Sequence, residues 1–348
     1  MAAMVLPVVD DMVCSALPDP ACPPRRAWRA ATGPGIGTRQ PTVEFPTRAT
    51  SRLWTQAATH RLPIRCCVPR EVDTITHMSE QQKQPEKTGK KATILAVTSG
   101  KGGVGKTSLS VNLACEFSRR NYRTVIVDTD LGLANAHILA GIKPAKTLSD
   151  YIDGKAELAE IIENGPCKVK FISGGSGVKE MANLDDNGRA RICVAIEELQ
   201  PFCDIILLDT GAGVSKGVTD FVSLADHTIL VTTSNFAAIA DAYGIVKVVV
   251  QDGYQKPIHC VVNRVRSPEE AEQVFLKLKG CTERFLGFDL NWLGLLPEDS
   301  SVEGAVLKRA PFSEVFPGSV AARYLAKLVS GLERYIGVPK PGPQAVKS

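Results

Sequence analysis

Eight residues, Gly100-Lys101-Gly102-Gly103-Val104-Gly105-Lys106-Thr107, constrain this chain more than any other stretch. Ile94-Leu95-Ala96-Val97 before them reads as a buried strand, and Leu109, Val111, Leu113 and Ala114 after them open a helix that runs to about Arg120. A glycine loop between strand and helix, with Gly-x4-Gly-Lys-Thr spacing, is a phosphate-binding loop in the context that motif requires. The glycines let the backbone curl so that successive N–H groups point inward at phosphate oxygens. The helix start adds unpaired donors and the positive end of its dipole. Lys106 can reach the terminal phosphates and the Thr107 hydroxyl can ligate Mg²⁺, with Ser108 beside them. The stretch implies a nucleoside triphosphate site.

Three later strand ends carry residues suited to the same site. Thr124–Val127 runs into Asp128-Thr129-Asp130, and two carboxylates at the C-terminal end of a parallel strand face the crevice where an open α/β sheet binds ligands. Asp130 as a helix cap is the plainer reading of that position. Cys203–Leu208 is an apolar run ending in Asp209-Thr210-Gly211-Ala212-Gly213, a Walker B pattern followed by glycines. Asp209 can hold Mg²⁺ through water, because a hard cation wants more oxygens than the loop supplies. Pro257–Val262 is a strand ending in Asn263-Arg264, where a bare asparagine reads as a turn former. Strand and helix alternate throughout, which gives a doubly wound, mostly parallel three-layer sheet fold.

Lys101, directly after the first glycine, makes the loop more specific. Lys-Gly-Gly-Val-Gly-Lys-Thr resembles the deviant Walker A group of P-loop ATPases, the MinD/ParA family of SIMIBI type, over about residues 92–337. The resemblance implies that Lys101 reaches the phosphates of a partner subunit's ATP in a homodimer. It implies that Asp130 positions the attacking water, that Asp128 helps organise Mg²⁺, and that Asn263 reads the adenine edge. Pro297-Glu298, after Trp292-Leu-Gly-Leu-Leu, is similar to the family's base-packing loop. Asp128-Thr-Asp-Leu-Gly-Leu-Ala-Asn135, Leu139-Ala-Gly-Ile-Lys-Pro144, Thr147-Leu-Ser-Asp-Tyr-Ile-Asp-Gly154 and Phe171-Ile-Ser-Gly-Gly-Ser-Gly177 resemble the FlhG/FleN branch, whose members regulate flagellar number and placement. Departures are His137, where relatives carry an acid, and Ser234-Asn-Phe-Ala-Ala238, where they carry prolines and an acid.

Composition narrows the alternatives. Residues 1–77 hold nine arginines, six acids, ten prolines and no lysine, whereas 78–348 hold 32 basic and 31 acidic residues. The nearly neutral body argues against a DNA-coating protein, which needs a clustered basic face, so nucleic acid is not an expected partner. No period persists in 1–77, which is expected to be a disordered extension, with Met78 as the true start and 78–91 a polar lead-in. A flexible tail is expected over 338–348. Cys115, Cys167, Cys193, Cys203, Cys260 and Cys281 stand isolated, and no Cys-x-x-Cys occurs, so they read as reduced thiols of a cytosolic protein rather than cluster ligands.

The closing helix near Ser319–Ile336 is expected to place Val320, Tyr324, Leu325, Leu328, Leu332, Tyr335 and Ile336 on one face. That face reads as core packing first and as a reversible membrane anchor second, because stable peripheral binding wants more cations than it offers. The expected function is a Mg²⁺-dependent ATPase and dimerisation switch that acts on flagellar number or placement, in the cytoplasm or at the inner membrane face. Its family-implied partner is an FlhF-like GTPase, although the N-terminal Asp-Gln-Ala motif that contacts it is missing. The alternative is a ParA-like positioning ATPase that uses nonspecific DNA as its matrix.

Overall fold

The computed structural model describes residues 91–130, 134–175 and 186–337. Expectations for residues 1–77, for the start at Met78, for Leu131-Gly132-Leu133, for Ser176-Gly177 and for the tail lie outside the described residues. The core is an eight-stranded sheet in the order β3-β4-β2-β5-β1-β6-β7-β8. Its strands are β1 Thr93–Ser99, β2 Thr124–Asp128, β3 Ile162–Asn164, β4 Lys170–Ile172, β5 Ile205–Ala212, β6 His227–Thr233, β7 Ile258–Val265 and β8 Asn291–Pro297. Among the described residues only the β3–β4 pairing is antiparallel.

β1, β2 and β5 are buried along nearly their whole length, with apolar centres, because helices cover both faces of the sheet. α1 (Lys106–Arg119), α2 (Ala136–Leu139), α3 (Leu148–Ile152) and α4 (Asp186–Leu199) precede β5. α5 (Lys216–Leu224), α6 (Phe236–Gln251), α7 (Pro268–Leu286), α8 (Ser300–Leu307), α9 (Phe312–Val315) and α10 (Val320–Ile336) follow it. The apolar residues separate into two clusters, one on each side of the sheet: Ile94 and Ala96 point to one, Leu95 and Val97 to the other.

Boundaries move slightly from the sequence expectations. β7 continues through Asn263 to Val265, pairing with β8 past the expected end. α4 begins at Asp186. α6 begins at Phe236 because the Asn235 side chain accepts from the Ala237 N–H at 3.0 Å.

The α10 stripe is rotated from its expected face. Leu325, Leu328 and Leu332 are buried as expected, but Ala321, Val329 and Gly331 join them while Val320 and Tyr335 are 43% and 46% exposed. The helix lies against β8 so closely that a Cβ on Gly294 would meet Leu328. Each buried leucine contributes about 1.5–3 kcal/mol of burial, so this face is spent on the core. No described helix is long and apolar enough to cross a membrane.

Candidate nucleotide-binding site

β1 delivers Ser99 to the loop, where its hydroxyl donates to the Lys101 carbonyl at 3.0 Å. The loop turns on Gly103 (φ 81°) and Gly105 (φ 91°), in the left-handed region that glycine adopts without penalty. A Cβ on Gly105 would also run into the Asn263 amide. α1 starts at Lys106 with no side-chain cap, so its first N–H groups remain for a ligand.

Behind the loop lies a buried cluster of charge. Lys106 Nζ sits 2.9 Å from Asp209 Oδ1, with the two side chains 8% and 1% exposed. Ser110, one turn along α1, donates its hydroxyl to the same oxygen at 2.8 Å. The β2–β5 register sets Asp128 directly beside Asp209. Asp128 Oδ2 accepts from the Asn135 and Ala136 N–H groups, both at 3.0 Å, and Oδ1 accepts from Asp130 N–H at 3.1 Å. One carboxylate therefore holds backbone on both sides of residues 131–133. Burial first, then the Asp209 carboxylate, push the Asp128 carboxyl up to about 8, against the pull of these N–H donors and of Lys106.

Two adjacent buried carboxylates share a single lysine, and Asp209 Oδ2 is buried without a hydrogen-bond partner. An unsatisfied buried acceptor costs about 1–3 kcal/mol. A hard divalent cation takes oxygen ligands, so Thr107, Asp209 and Asp128 form a donor set that suits Mg²⁺.

In front of this cluster opens a cavity of about 880 Å³, lined by Lys101, Gly102, Gly103, Gly105, Lys106, Thr107, Ser108 and Asp130. Lys101 is exposed at its mouth, and Asp130 lies within reach of Gly211, on the glycine segment after the Walker B aspartate. Gly100 and Val104 support the loop: Gly100 abuts the Asp241 backbone, and the Val104 carbonyl accepts from Asn263 Nδ2 at 2.8 Å.

Asn263 thus stands under the loop with its amide engaged, since its Oδ1 also accepts from Arg264 N–H at 2.9 Å. Reading a base would require it to exchange the Val104 bond. Pro297 and Glu298 close the β7–β8 pairing instead of lining the cavity: the Glu298 N–H donates to the Val265 carbonyl at 2.9 Å, and its carboxylate lies 3.9 Å from Arg266. The cavity wall does include Arg264, Lys216 and Arg189, which sequence reading passed over. Arg264 had a signal, its place after Asn263; its φ of 55° marks the irregularity in β7 between Asn263 and Val265. Arg189 comes from α4 and bonds Asp220 at 2.9 Å, a placement with no local signature.

The nucleotide binding domain model of the CobQ/CobB/MinD/ParA family matches residues 95–312. The chain belongs to this family. Two relatives are markedly similar to it. The antiactivator FleN of Pseudomonas aeruginosa is 37% identical over 229 residues, covering 66% of this chain and 82% of FleN. The flagellum site-determining protein YlxH of Helicobacter pylori is 30% identical over 257 residues, covering 71% and 86%. Among solved structures, the septum site-determining protein MinD of Pyrococcus horikoshii, complexed with Mg-ADP, aligns with a TM-score of 0.60 and 25% identity over 71% of this chain and 98% of that one. The matched span contains the loop, both buried aspartates and Asn263, so the MinD/ParA-type P-loop fold read from the sequence is the fold observed.

Proposed function

We propose that this chain is a Mg²⁺-dependent ATPase whose nucleotide state switches it between single subunits and a face-to-face homodimer, and that the switch sets flagellar number or placement. The observation that carries the reading is the buried Lys106–Asp209 pair set behind a glycine loop, with an orphaned Asp209 oxygen beside it. When a triphosphate arrives, Lys106 exchanges one anionic partner for another, from Asp209 to the terminal phosphates, and Asp209 is freed. Thr107, Asp209 and Asp128 would hold Mg²⁺, which supplies charge neutralisation at the phosphate oxygens.

The loop amides and Lys106 fix the triphosphate for in-line attack, and Asp130 at the cavity wall orients the water. Lys101, exposed at the mouth, serves the site of a second copy in this reading. Asp128 links this chemistry to movement, because it bonds backbone on both sides of 131–133 and sits against Asp209. A partner protein sets the turnover, and an FlhF-like GTPase or another flagellar assembly protein is the candidate. The ATPase body spans 92–337.

Similarity to the flagellum site-determining YlxH and to FleN supports the flagellar output. Expressed in a flagellated bacterium that lacks its own YlxH-type protein, the full chain should restore flagellar number and position, and its Lys106→Met variant should not. Restored ATP hydrolysis with unrestored flagella would overturn the flagellar assignment and leave the ATPase standing.

A further inference from the structure

Cysteines that stand isolated in the sequence do not all stay apart in the fold. Cys115 and Ser118 lie three residues apart on α1, and therefore on one face of it. That face meets the turn Pro166–Lys168 between β3 and β4, where the Ser118 hydroxyl donates to the Cys167 carbonyl at 2.6 Å. The same packing seats Cys167 against the buried apolar cluster that contains Cys115, which makes the two thiols neighbours. Both are free thiols, Cys115 fully buried and Cys167 half-buried.

We propose that Cys115 and Cys167 form a reversible dithiol–disulfide site, oxidised by hydrogen peroxide. Their surroundings divide the labour. The Cys115 hydrogen bond draws the Cys167 thiol down from its ordinary range, burial opposes it, Arg119 adds to the pull, and Glu314 from α9 works against it. Cys115 is pushed up, by its bond to Cys167 and then by burial. Cys167, part-exposed and the more acidic of the two, is the attacking thiol; Cys115 is the resolving one. The turn is held in a left-handed pair, Cys167 at φ 55° and Lys168 at φ 65°, a conformation costly for residues with a Cβ.

The steps balance. The Cys167 thiolate attacks peroxide, forming an S–O bond, breaking O–O and releasing hydroxide, which takes up a proton as water. The Cys115 sulfur then attacks the sulfenic sulfur, forming S–S, breaking S–O and releasing a second water with the Cys115 proton. The sulfurs are oxidised and the peroxide is reduced. The bond ties the helix that carries Lys106 and Thr107 to the β3–β4 edge of the sheet.

The test is a peroxide titration of the full chain, followed by alkylation under denaturing conditions and non-reducing peptide mass mapping. The expected product is a Cys115–Cys167 cross-linked peptide two hydrogens lighter than the separate pair, reversed by dithiothreitol. It should form at peroxide levels that leave Cys203 and Cys260 alkylatable, and raise the melting temperature by several degrees. In Cys115→Ser the oxidation should stop at a sulfenic acid on Cys167, trapped by dimedone. If that buried substitution prevents folding, Cys167→Ser, at a half-buried position, should lose the cross-link. Over-oxidation of Cys167 without cross-linking, preferential pairing with any other cysteine, or no reaction before Cys203 and Cys260 would overturn the proposal.

Discussion

Replacing Lys106 with methionine should destabilise the chain in a way that depends on pH. In the folded protein the ammonium sits 2.9 Å from Asp209, and both side chains are almost wholly buried. Removing one partner of such a pair leaves an uncompensated buried charge and costs about 3–5 kcal/mol, a large part of a typical total of about 5–15 kcal/mol. Asp128 gives the cost its pH dependence. Its folded titration lies near 8, far above the carboxylate value of 3.8, so the folded state holds a proton that the unfolded state has lost. Stability therefore falls as pH rises from the lower value to the upper. Without Lys106, Asp128 loses the cation that draws its carboxyl down, which moves the upper limit higher still. Urea unfolding at about pH 6 and about pH 9 should show the Lys106→Met penalty growing toward the alkaline side. The Lys106→Met, Asp209→Asn double variant should recover much of the loss, because it removes both charges. Two single variants within about 1 kcal/mol of the parent at both pH values, or strictly additive effects, would refute the cluster as described.

Four other outcomes follow from the same structure. Asp130→Ala should keep Mg²⁺·ATP affinity, measured by calorimetry, while phosphate release falls by about a hundredfold or more; normal turnover would remove Asp130 from the mechanism. Gly105→Ala places a methyl against Asn263 at φ 91°, so ATP affinity should drop at least about tenfold, or about 1.4 kcal/mol, in the same calorimetric assay. His259 is fully buried, bonded to His227 at 3.1 Å and depressed to about 4 from 6.5. Its contribution is present above the upper value and is lost as pH falls toward the lower, so between pH 6.5 and about 5 the parent should lose about 2 kcal/mol more in urea unfolding than His259→Asn does. Leu328→Ala, under β8, should cost about 2–5 kcal/mol in the same unfolding assay, whereas truncating the exposed Tyr335 should cost far less.

The sheet was legible because its central strands are unbroken apolar runs bounded by glycine or aspartate, a pattern that both-face burial imposes. The loop was legible because the spacing of its glycines and lysines is itself the backbone geometry. Less was legible where position depends on tertiary packing. The closing helix has more apolar positions than its contact needs, so sequence spacing included Val320 and Tyr335, while close approach to Gly294 selected Ala321 and Val329 instead. Asn263 stands out in the sequence as a strand-ending residue, but its bond to the Val104 carbonyl follows from β7 continuing beneath the loop. Arg189 at the cavity wall and Cys167 against α1 bring together elements distant in the chain, and no local pattern encodes such meetings.

The nucleotide switch is read out by sedimentation of the full chain with Mg²⁺·ATP, with Mg²⁺·ADP and with ATP plus chelator. A dimer is expected with Mg²⁺·ATP alone, lost in Lys101→Ala although that variant still binds nucleotide. A single subunit at every concentration with Mg²⁺·ATP bound, or a dimer indifferent to nucleotide, would contradict it.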